Sequence, residues 1–212
     1  SQIPAEMFIQ GLYVDLGRIQ SICVGAHFAF GHQRQGNVEL LQRLGQEMNF
    51  IVHGLASISL DDETVSSTRI RQAIETGQLD AAGQMLGREY ALTGEVIQGD
   101  QRGRELGYPT ANLEVDGLCL PPNGVYAAHA QVGETTHRAA VNIGLRPTIA
   151  DAEPSLHVEA HLLDFEGDLY GQPLALTFVG KLRDETKFDS LDTLKTQIEK
   201  DLVSARYLFT QL

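Results

Sequence analysis

The sequence predicts an α/β segment followed by an all-β antiparallel barrel with a C-terminal helix. Helical and short strand patterns alternate over residues 4–87, whereas from about Tyr90 apolar residues recur with a period of two. Consecutive strands with no helical pattern between them indicate an antiparallel sheet. Closing a sheet of this length into a small barrel removes its exposed edges. We place the domain boundary near Arg88, which gives domains 1–88 and 89–212.

The first domain shows the pattern of a parallel crossover. The apolar run Ser21–Gly25 suits a buried parallel strand, Asn37 can cap a helix that runs through Met48, and 50–55 forms the next strand. The order strand, helix, strand favours parallel pairing of the two strands. An earlier helix is predicted at 6–16.

Two short helices precede the boundary. Ser67 is the predicted cap of the first, which carries Ile70 and Ala73 on its apolar face and closes at Gly77. The second is predicted at 79–86 and ends at a glycine.

Strands and a final helix make up the second domain. The strands are predicted at 92–99, 124–132, 136–143, 156–165 and 174–183, separated by Gly, Pro, Asn and Asp. The final helix is predicted at 191–208, with Asp189 or Ser190 as its N-cap.

Charge, cysteine content and hydropathy argue against nucleic-acid and membrane partners and indicate a cellular compartment. Sixteen Lys and Arg against 28 Asp and Glu give a net charge of −12, so we expect no nucleic-acid partner. Cys23 and Cys119 lie far apart, which suits buried thiols in a reducing compartment. The sequence has no apolar stretch long enough to span a bilayer and no signal pattern, so we expect a cytoplasmic protein without a membrane partner.

A glycine-rich segment at 99–112 is the most informative part of the chain. Gly99, Gly103 and Gly107 let a loop bring backbone amides close to phosphate oxygens, and Arg102 and Arg104 add cationic donors. The Gly-Lys-Ser/Thr ending of a Walker loop does not occur here. On composition alone, a Gly-rich hairpin loop with a solvated arginine pair is the simpler explanation.

Pro109 stiffens the exit from this loop, and Thr110 and Asn112 follow it. In an extended segment, positions two apart face the same side, so the hydroxyl and the carboxamide lie next to each other. Two neutral oxygens suit Mg²⁺, which takes most of its other ligands from water and substrate phosphates.

A carboxylate in mid-strand, Glu159, is the second candidate. Strict alternation places it on one face of its strand with two histidines, opposite three apolar residues. These are His157 and His161 on the polar face, and Val158, Ala160 and Leu162 on the other. If the polar face lines a barrel mouth, Glu159 can act as a general base toward a substrate hydroxyl; otherwise it is a solvent-facing residue. A histidine metal site is disfavoured, because phosphoryl transfer prefers oxygen ligands.

Two further segments could border a site. An Arg-Pro turn at 146–148, after a strand that ends at Gly144, can project a cation. The mixed-charge segment 182–188 precedes the final helix. Each is equally typical of a plain solvated connection.

The order and spacing of these segments resemble the riboflavin kinase module over essentially all of residues 90–212. The two most specific matches are Gly-Tyr-Pro-Thr-Ala-Asn at 107–112 and Glu-Ala-His-Leu-Leu-Asp-Phe at 159–165. The resemblance implies a six-stranded antiparallel Greek-key barrel with a C-terminal helix. It also implies an ATP-dependent kinase that phosphorylates the 5′-hydroxyl of riboflavin to give FMN.

The resemblance assigns roles to individual residues. Glu159 would be the base toward the ribityl hydroxyl, and Thr110 and Asn112 would hold Mg²⁺ and the ATP phosphates. The nucleotide-binding set would be Gly99, Gly103, Arg104, Gly107, Pro109, Thr110 and Asn112. Arg183, Glu185 and Phe188 would border the flavin.

Residues 1–89 are similar to the later part of a bacterial FMN adenylyltransferase module, which is Rossmann-like. Residues 24–36 match one of its motifs. Ser66, Ser67, Thr68 and Arg69 match another, in which a helix N-terminus meets ATP phosphates. The family's opening strand and paired histidines have no counterpart here, and we interpret His32 as an ordinary loop residue. We therefore expect an incomplete adenylyltransferase module in a parent protein that also makes FAD.

Two alternatives to a kinase remain, and each belongs to a class of binding protein. The barrel could be a non-catalytic flavin- or nucleotide-binding remnant, although a mere binder would not need Glu159 together with Thr110 and Asn112. It could also bind single-stranded nucleic acid, but the acidic charge and the lack of an aromatic-basic stripe argue against this.

The first prediction is that these 212 residues make FMN but not FAD. Without the paired histidines, the charge that develops on a transferred adenylyl group would lack its main stabiliser. Chromatography of incubations with ATP, Mg²⁺ and either riboflavin or FMN measures both products. FAD formed from FMN and ATP by this chain alone would contradict the prediction.

Overall fold

The computed structural model describes residues 2–146 and 155–211. Contacts divide the chain into two compact units, Ser1–Val65 and Ser66–Leu212. The predicted boundary near residue 88 separates domains that we expect to fold independently, and it stays a prediction. In the described part of the chain, no helix is long and apolar enough to cross a membrane.

The first unit is built around a parallel pair of strands. Its elements are α1 (Ala5–Leu16), β1 (Ser21–Gly25), a 3-10 turn (His32–Arg34), α2 (Val38–Met48), β2 (Ile51–Leu55), β3 (Ser59–Leu60) and β4 (Glu63–Thr64). β1 and β2 pair in parallel with α2 between them in the chain, as predicted. The Asn37 side chain accepts a hydrogen bond of 2.8 Å from the Leu40 amide and caps α2.

The β1–β2 sheet is buried on one face and exposed on the other, contrary to the expectation of a fully buried strand. Leu41 and Leu44 of α2 are buried in the core of this unit. On the open face, Ile51 is 62% and Leu55 55% exposed. Cys23 also lies on that face and is exposed, so its expected burial is wrong. Alternation within a two-stranded sheet leaves every second side chain outside the core.

The second unit begins with two short helices, α3 (Ser67–Glu75) and α4 (Leu79–Leu86), which ends at Gly87 as predicted. The predicted cap of α3 was one residue late. Ser66 has an extended backbone, and its Oγ accepts a hydrogen bond of 3.2 Å from the Arg69 amide. Ser67 is therefore the first helical residue, because a capping side chain must sit just outside the helix.

A closed barrel of six antiparallel strands follows. The elements of this region are β5 (Ala91–Ile97), α5 (Arg102–Glu105), β6 (Ala111–Leu113), β7 (Gly124–Val132), β8 (Thr135–Arg146), β9 (Ser155–Leu162), β10 (Pro173–Arg183) and α6 (Leu191–Leu208). The order around the barrel is β10-β5-β6-β9-β8-β7. β10 returns to lie beside β7, the first strand of the β7-β8-β9 series, so the spatial order β10-β7-β8-β9 is a Greek key. The predicted barrel and terminal helix are thus confirmed.

The sequence pattern did not reveal β6 or α5, which have three and four residues. β6 is held by its neighbours, since it pairs with β5 on one side and with β9 on the other. A three-residue strand gives no readable alternation of its own. Closure of the barrel depends on it nonetheless.

Small and branched side chains fill the barrel interior. Val158 and Ala160 of β9 have no exposed surface, and Leu162 is 5% exposed. Because side chains alternate along a strand, the polar residues of β9 lie on the outer wall.

The final helix α6 lies against the outer wall, where it contacts β7, β8 and β10. Ser190 provides the N-cap and forms a capping box with Thr193. Near the other end, Arg206 makes two hydrogen bonds of 2.8 Å to Asp164, which follows β9. Those two bonds lower the pKa of the Asp164 carboxyl.

The second prediction is that Leu176→Ala destabilises the barrel by about 2–5 kcal/mol, because it leaves a cavity in a packed interior. Leu176 lies in β10 and has no exposed surface. Urea unfolding followed by circular dichroism measures the change. The control is Leu191→Ala, because Leu191 is 68% exposed. Equal losses in the two variants would contradict the packing described here.

Candidate active site

Two cavities adjoin each other on the barrel of the second unit. The first, about 340 Å³, lies between the outer wall, the 99–110 loop, the 183–188 segment and α6; we call it the wall cavity. The second, about 460 Å³, lies between the same loop, residues 165–170 and the inward-facing Val96, Ala111, Ala160 and Leu162; we call it the rim cavity. Gln101 and Thr110 line both cavities, so occupants of the two would meet at these residues.

Glu159 lies in the wall cavity, in the middle of β9. Its register partners are Asn112 on β6 and Asn142 on β8, so two asparagines flank it. The Thr110 Oγ1 lies 3.5 Å from one carboxylate oxygen, and the His157 Nε2 lies 3.9 Å from the other. The side chain of Glu159 is 33% exposed, so an oxygen is free to accept a proton from a ligand hydroxyl. The carboxylate thus faces α6 from the outer wall, not from a barrel mouth.

The three glycines of the loop serve two different purposes. A Cβ at Gly99 would collide with the Asn112 carboxamide, and one at Gly103 would collide with the Tyr108 carbonyl and lie 3.2 Å from Thr110 Oγ1. These two glycines allow the loop to pack tightly against the oxygen-bearing residues. Gly107 has open space around it but a φ of +90°, so its role is conformational.

The end of the loop is tied to the barrel and to α6. The Pro109 carbonyl lies 2.8 Å from the His161 Nδ1, and the Tyr108 hydroxyl donates a 3.1 Å hydrogen bond to Glu199. Desolvation and this bond to Glu199 raise the pKa of the Tyr108 phenol, which favours its protonated, hydrogen-bond-donating form. These contacts fix Thr110 at the junction of the two cavities.

Segment 183–188 forms the opposite side of the wall cavity. The Arg183 guanidinium pairs with Asp201 of α6 and lies 5.7 Å from the centre of the Phe188 ring. Glu185 accepts a hydrogen bond of 3.2 Å from the Asn123 side chain. A Cβ at Gly144 would strike the Glu185 carboxylate, so this glycine allows its close approach.

The donor set suits Mg²⁺ better than a metal held by histidine. Among the described residues, no group of three or more His, Cys, Asp or Glu side chains could hold a metal ion. Thr110 and Asn112 present neutral oxygens beside the wall cavity. Mg²⁺ that binds mainly to substrate phosphates needs few protein ligands, so the residues present fit it.

The fold brings most of the candidate residues together. Those lining the wall cavity are Gly103, Thr110, Asn112, Glu159, Arg183, Glu185 and Phe188. Arg104 and Pro109 line the rim cavity together with Thr110. Residues Ser66–Arg69 belong to the start of α3 and are not among the described residues that line either cavity. The Arg-Pro turn predicted at 146–148 falls outside the described residues, apart from the backbone of Arg146.

Sequence reasoning missed Asn142, Tyr108 and Asp201, which also line the wall cavity. Asn142 could have been found, since alternation along the predicted strand 136–143 places it on the polar face. Asp201 had a signal too, because it lies three residues after Ile198 on the apolar side of the final helix.

The second unit combines a six-stranded Greek-key barrel with a glycine loop, two neutral oxygens and a strand carboxylate, and these groups are compatible with phosphoryl transfer to a hydroxyl. The family model described as riboflavin kinase matches residues 86–209, more than half of the chain. The chain belongs to the riboflavin kinase family. The model described as FAD synthetase matches residues 1–69.

The curated relatives are named for two activities, riboflavin kinase and FMN adenylyltransferase. The chain is 38% identical over 206 residues to the bifunctional riboflavin kinase/FMN adenylyltransferase of Pseudomonas fluorescens. It is 40% identical over 207 residues to that of Haemophilus influenzae. These alignments cover 97% of this chain and 66% of each relative, so the chain spans just under two thirds of their length.

A solved structure, described as a macrolide-efflux protein from Streptococcus pneumoniae, has a similar fold. The TM-score is 0.72 at 31% identity, over 97% of this chain and 66% of that one. The likeness extends beyond the barrel, since it covers nearly the whole chain.

Proposed function

We propose that the chain transfers the γ-phosphate of ATP to the 5′-hydroxyl of riboflavin, giving FMN. The observation that carries the proposal is the position of Glu159. It lies opposite Asn112, 3.5 Å from Thr110, in the cavity that the glycine loop borders. Phosphoryl transfer needs mainly positioning and charge neutralisation, so these few groups are sufficient.

The two cavities divide the substrates between them. ATP would occupy the rim cavity, where Arg104 and Thr110 contribute to the lining. The flavin would occupy the wall cavity, where Phe188 and aliphatic residues of α6 offer apolar surface to its rings. Thr110, one of the two residues that line both cavities, would then lie where the γ-phosphate meets the ribityl hydroxyl.

The chain's own residues orient the reactants and receive the proton. Thr110 and Asn112 would hold Mg²⁺, which when bound neutralises charge on the phosphate oxygens. Glu159 accepts the proton of the 5′-hydroxyl as that oxygen attacks. The loop and α6 border the outer wall around Glu159, and with both substrates bound they would limit access of water as a competing acceptor.

Incubation with ATP, Mg²⁺ and riboflavin, followed by chromatography, tests this function. FMN and ADP should appear in equal amounts. Retention of riboflavin without FMN would favour the non-catalytic binding barrel.

The third prediction concerns Glu159→Gln, which should lower the turnover number roughly a hundredfold or more, the usual weight of general-base catalysis. Stability and ATP affinity should stay near those of the original chain, because the amide keeps the shape of the carboxylate. The matched control is Glu95→Gln, an exposed glutamate on β5. An unchanged rate of FMN formation in the Glu159 variant would remove this residue from the mechanism.

The fourth prediction concerns the metal ion. Since Thr110 and Asn112 supply only neutral oxygens, Mg²⁺ should bind weakly to the protein alone and tightly with nucleotide. Asn112→Ala should lower Mg-ATP affinity and turnover together, and steady-state kinetics with varied Mg²⁺ measures both. Calorimetry that detects tight Mg²⁺ binding without nucleotide would point instead to a carboxylate site.

A parent protein of the relatives' length would add adenylyl transfer to FMN. The FAD synthetase match over residues 1–69 supports this, and Ser66–Arg69 at the start of α3 would meet ATP phosphates. Its setting would be the cytoplasm, since Cys23 and Cys119 are free thiols and ATP is the co-substrate.

A further inference from the structure

Asp201 is the one polar or charged side chain in the buried class among the described residues, with 6% of its surface exposed. It lies on α6 and faces Arg183 at the end of β10. The carboxylate accepts from the Arg183 Nε and Nη2 at 2.8 Å each, and the Gln197 side chain donates to it at 2.8 Å. A buried carboxylate requires such partners, because removing it from water is otherwise costly.

Both oxygens of Asp201 are therefore occupied. Oδ1 accepts from Arg183 and Gln197, and Oδ2 accepts twice from Arg183, at 2.8 and 3.0 Å. A carboxylate offers about four lone-pair sites, so little acceptor capacity remains for a ligand. Asp201 therefore affects a bound ligand through Arg183 and not through a direct hydrogen bond.

Arg183 in turn organises the irregular segment that borders the wall cavity. Residues 184–188 have neither helical nor strand pairing, and side-chain hydrogen bonds from Arg183 and Thr186 to the Asp184 carbonyl contribute to holding their backbone in place. The Arg183 Nη1 donates to the Asp184 carbonyl at 2.9 Å, and the guanidinium lies beside the Phe188 ring. The same segment presents Glu185 and Thr186 to the cavity.

We propose that Asp201 is a positioning residue for riboflavin, which it serves by fixing Arg183 and, through it, segment 183–188. This inference rests on the proposed riboflavin kinase function. ATP would occupy the rim cavity, whose lining includes neither Arg183 nor any other residue of this segment. Asp201 should therefore control flavin affinity and leave ATP affinity alone.

A second Arg–Asp pair provides a matched comparison. Arg206 of α6 and Asp164 also form two short hydrogen bonds between the helix and the barrel, but their side chains are 46% and 58% exposed. An exposed pair contributes little, and neither residue lines the wall cavity as described. Asp164 has a φ of 57°, a conformation that asparagine also tolerates.

The experiment compares Asp201→Asn with Asp164→Asn. Riboflavin affinity is measured from flavin fluorescence, and KM for each substrate from FMN formation. We expect Asp201→Asn to weaken riboflavin binding about tenfold or more, because breaking a buried pair leaves Arg183 uncompensated. KM for ATP should stay unchanged, and Asp164→Asn should change neither value. Equal losses for both substrates, or none for riboflavin, would overturn the proposal.

Gln197→Leu keeps the test decisive if Asp201→Asn does not fold. Gln197 is not among the residues lining either cavity and its side chain donates to Asp201, so we expect an effect on riboflavin to pass through Asp201. We expect a loss of riboflavin affinity of about two- to fivefold, less than the full weight of one hydrogen bond to a charged group, because the bonds from Arg183 to Asp201 remain. Unchanged affinity in this variant refutes the positioning role. An unsubstituted chain that binds riboflavin but makes no FMN refutes the kinase function instead, and the binding comparison still stands.

Discussion

Closure of the barrel is the constraint on which the rest of the second unit depends. β10 pairs with β5 on one side and β7 on the other, so no strand of the barrel keeps an open edge. Closure also fixes which side chains point inward. The interior is filled with apolar residues, and the polar positions of the strands have only the outer wall left to them. A site on the outer wall must therefore be covered by a segment outside the barrel.

The roof comes from two segments that are distant in sequence. The 99–110 loop leaves the barrel between β5 and β6, while α6 follows the last strand, yet the Tyr108 hydroxyl bonds to Glu199 of that helix. The loop thereby lies close to the barrel, and its Arg104 is the one cationic side chain among the described residues that line the rim cavity, beside Glu166 and Asp168. Glycines at positions 99 and 103 make that close approach sterically feasible.

Periodicity predicted the long elements well and the short ones poorly. β7 and α6 have the predicted bounds, because nine and eighteen residues carry a clear apolar pattern. β6 gave no such signal, although its pairing with β9 sets Asn112 opposite Glu159. The shared face of Glu159 with the two histidines followed from alternation alone. The sequence did not predict that this face of β9 lies against α6, because the docking of a helix depends on contacts between residues that are remote in sequence.

The position of the wall cavity beneath α6 has a consequence for the lifetime of the protein before it is degraded. A ligand held between the outer wall and α6 adds its binding free energy to whatever keeps that helix docked. When the cavity is empty, α6 relies on its apolar face and on the pairs formed by Asp201 and Arg206. Terminal elements can open at a lower free energy than the core of a protein, and such openings expose the chain to proteases. Flavin supply would in this way set the lifetime of the enzyme as well as its rate.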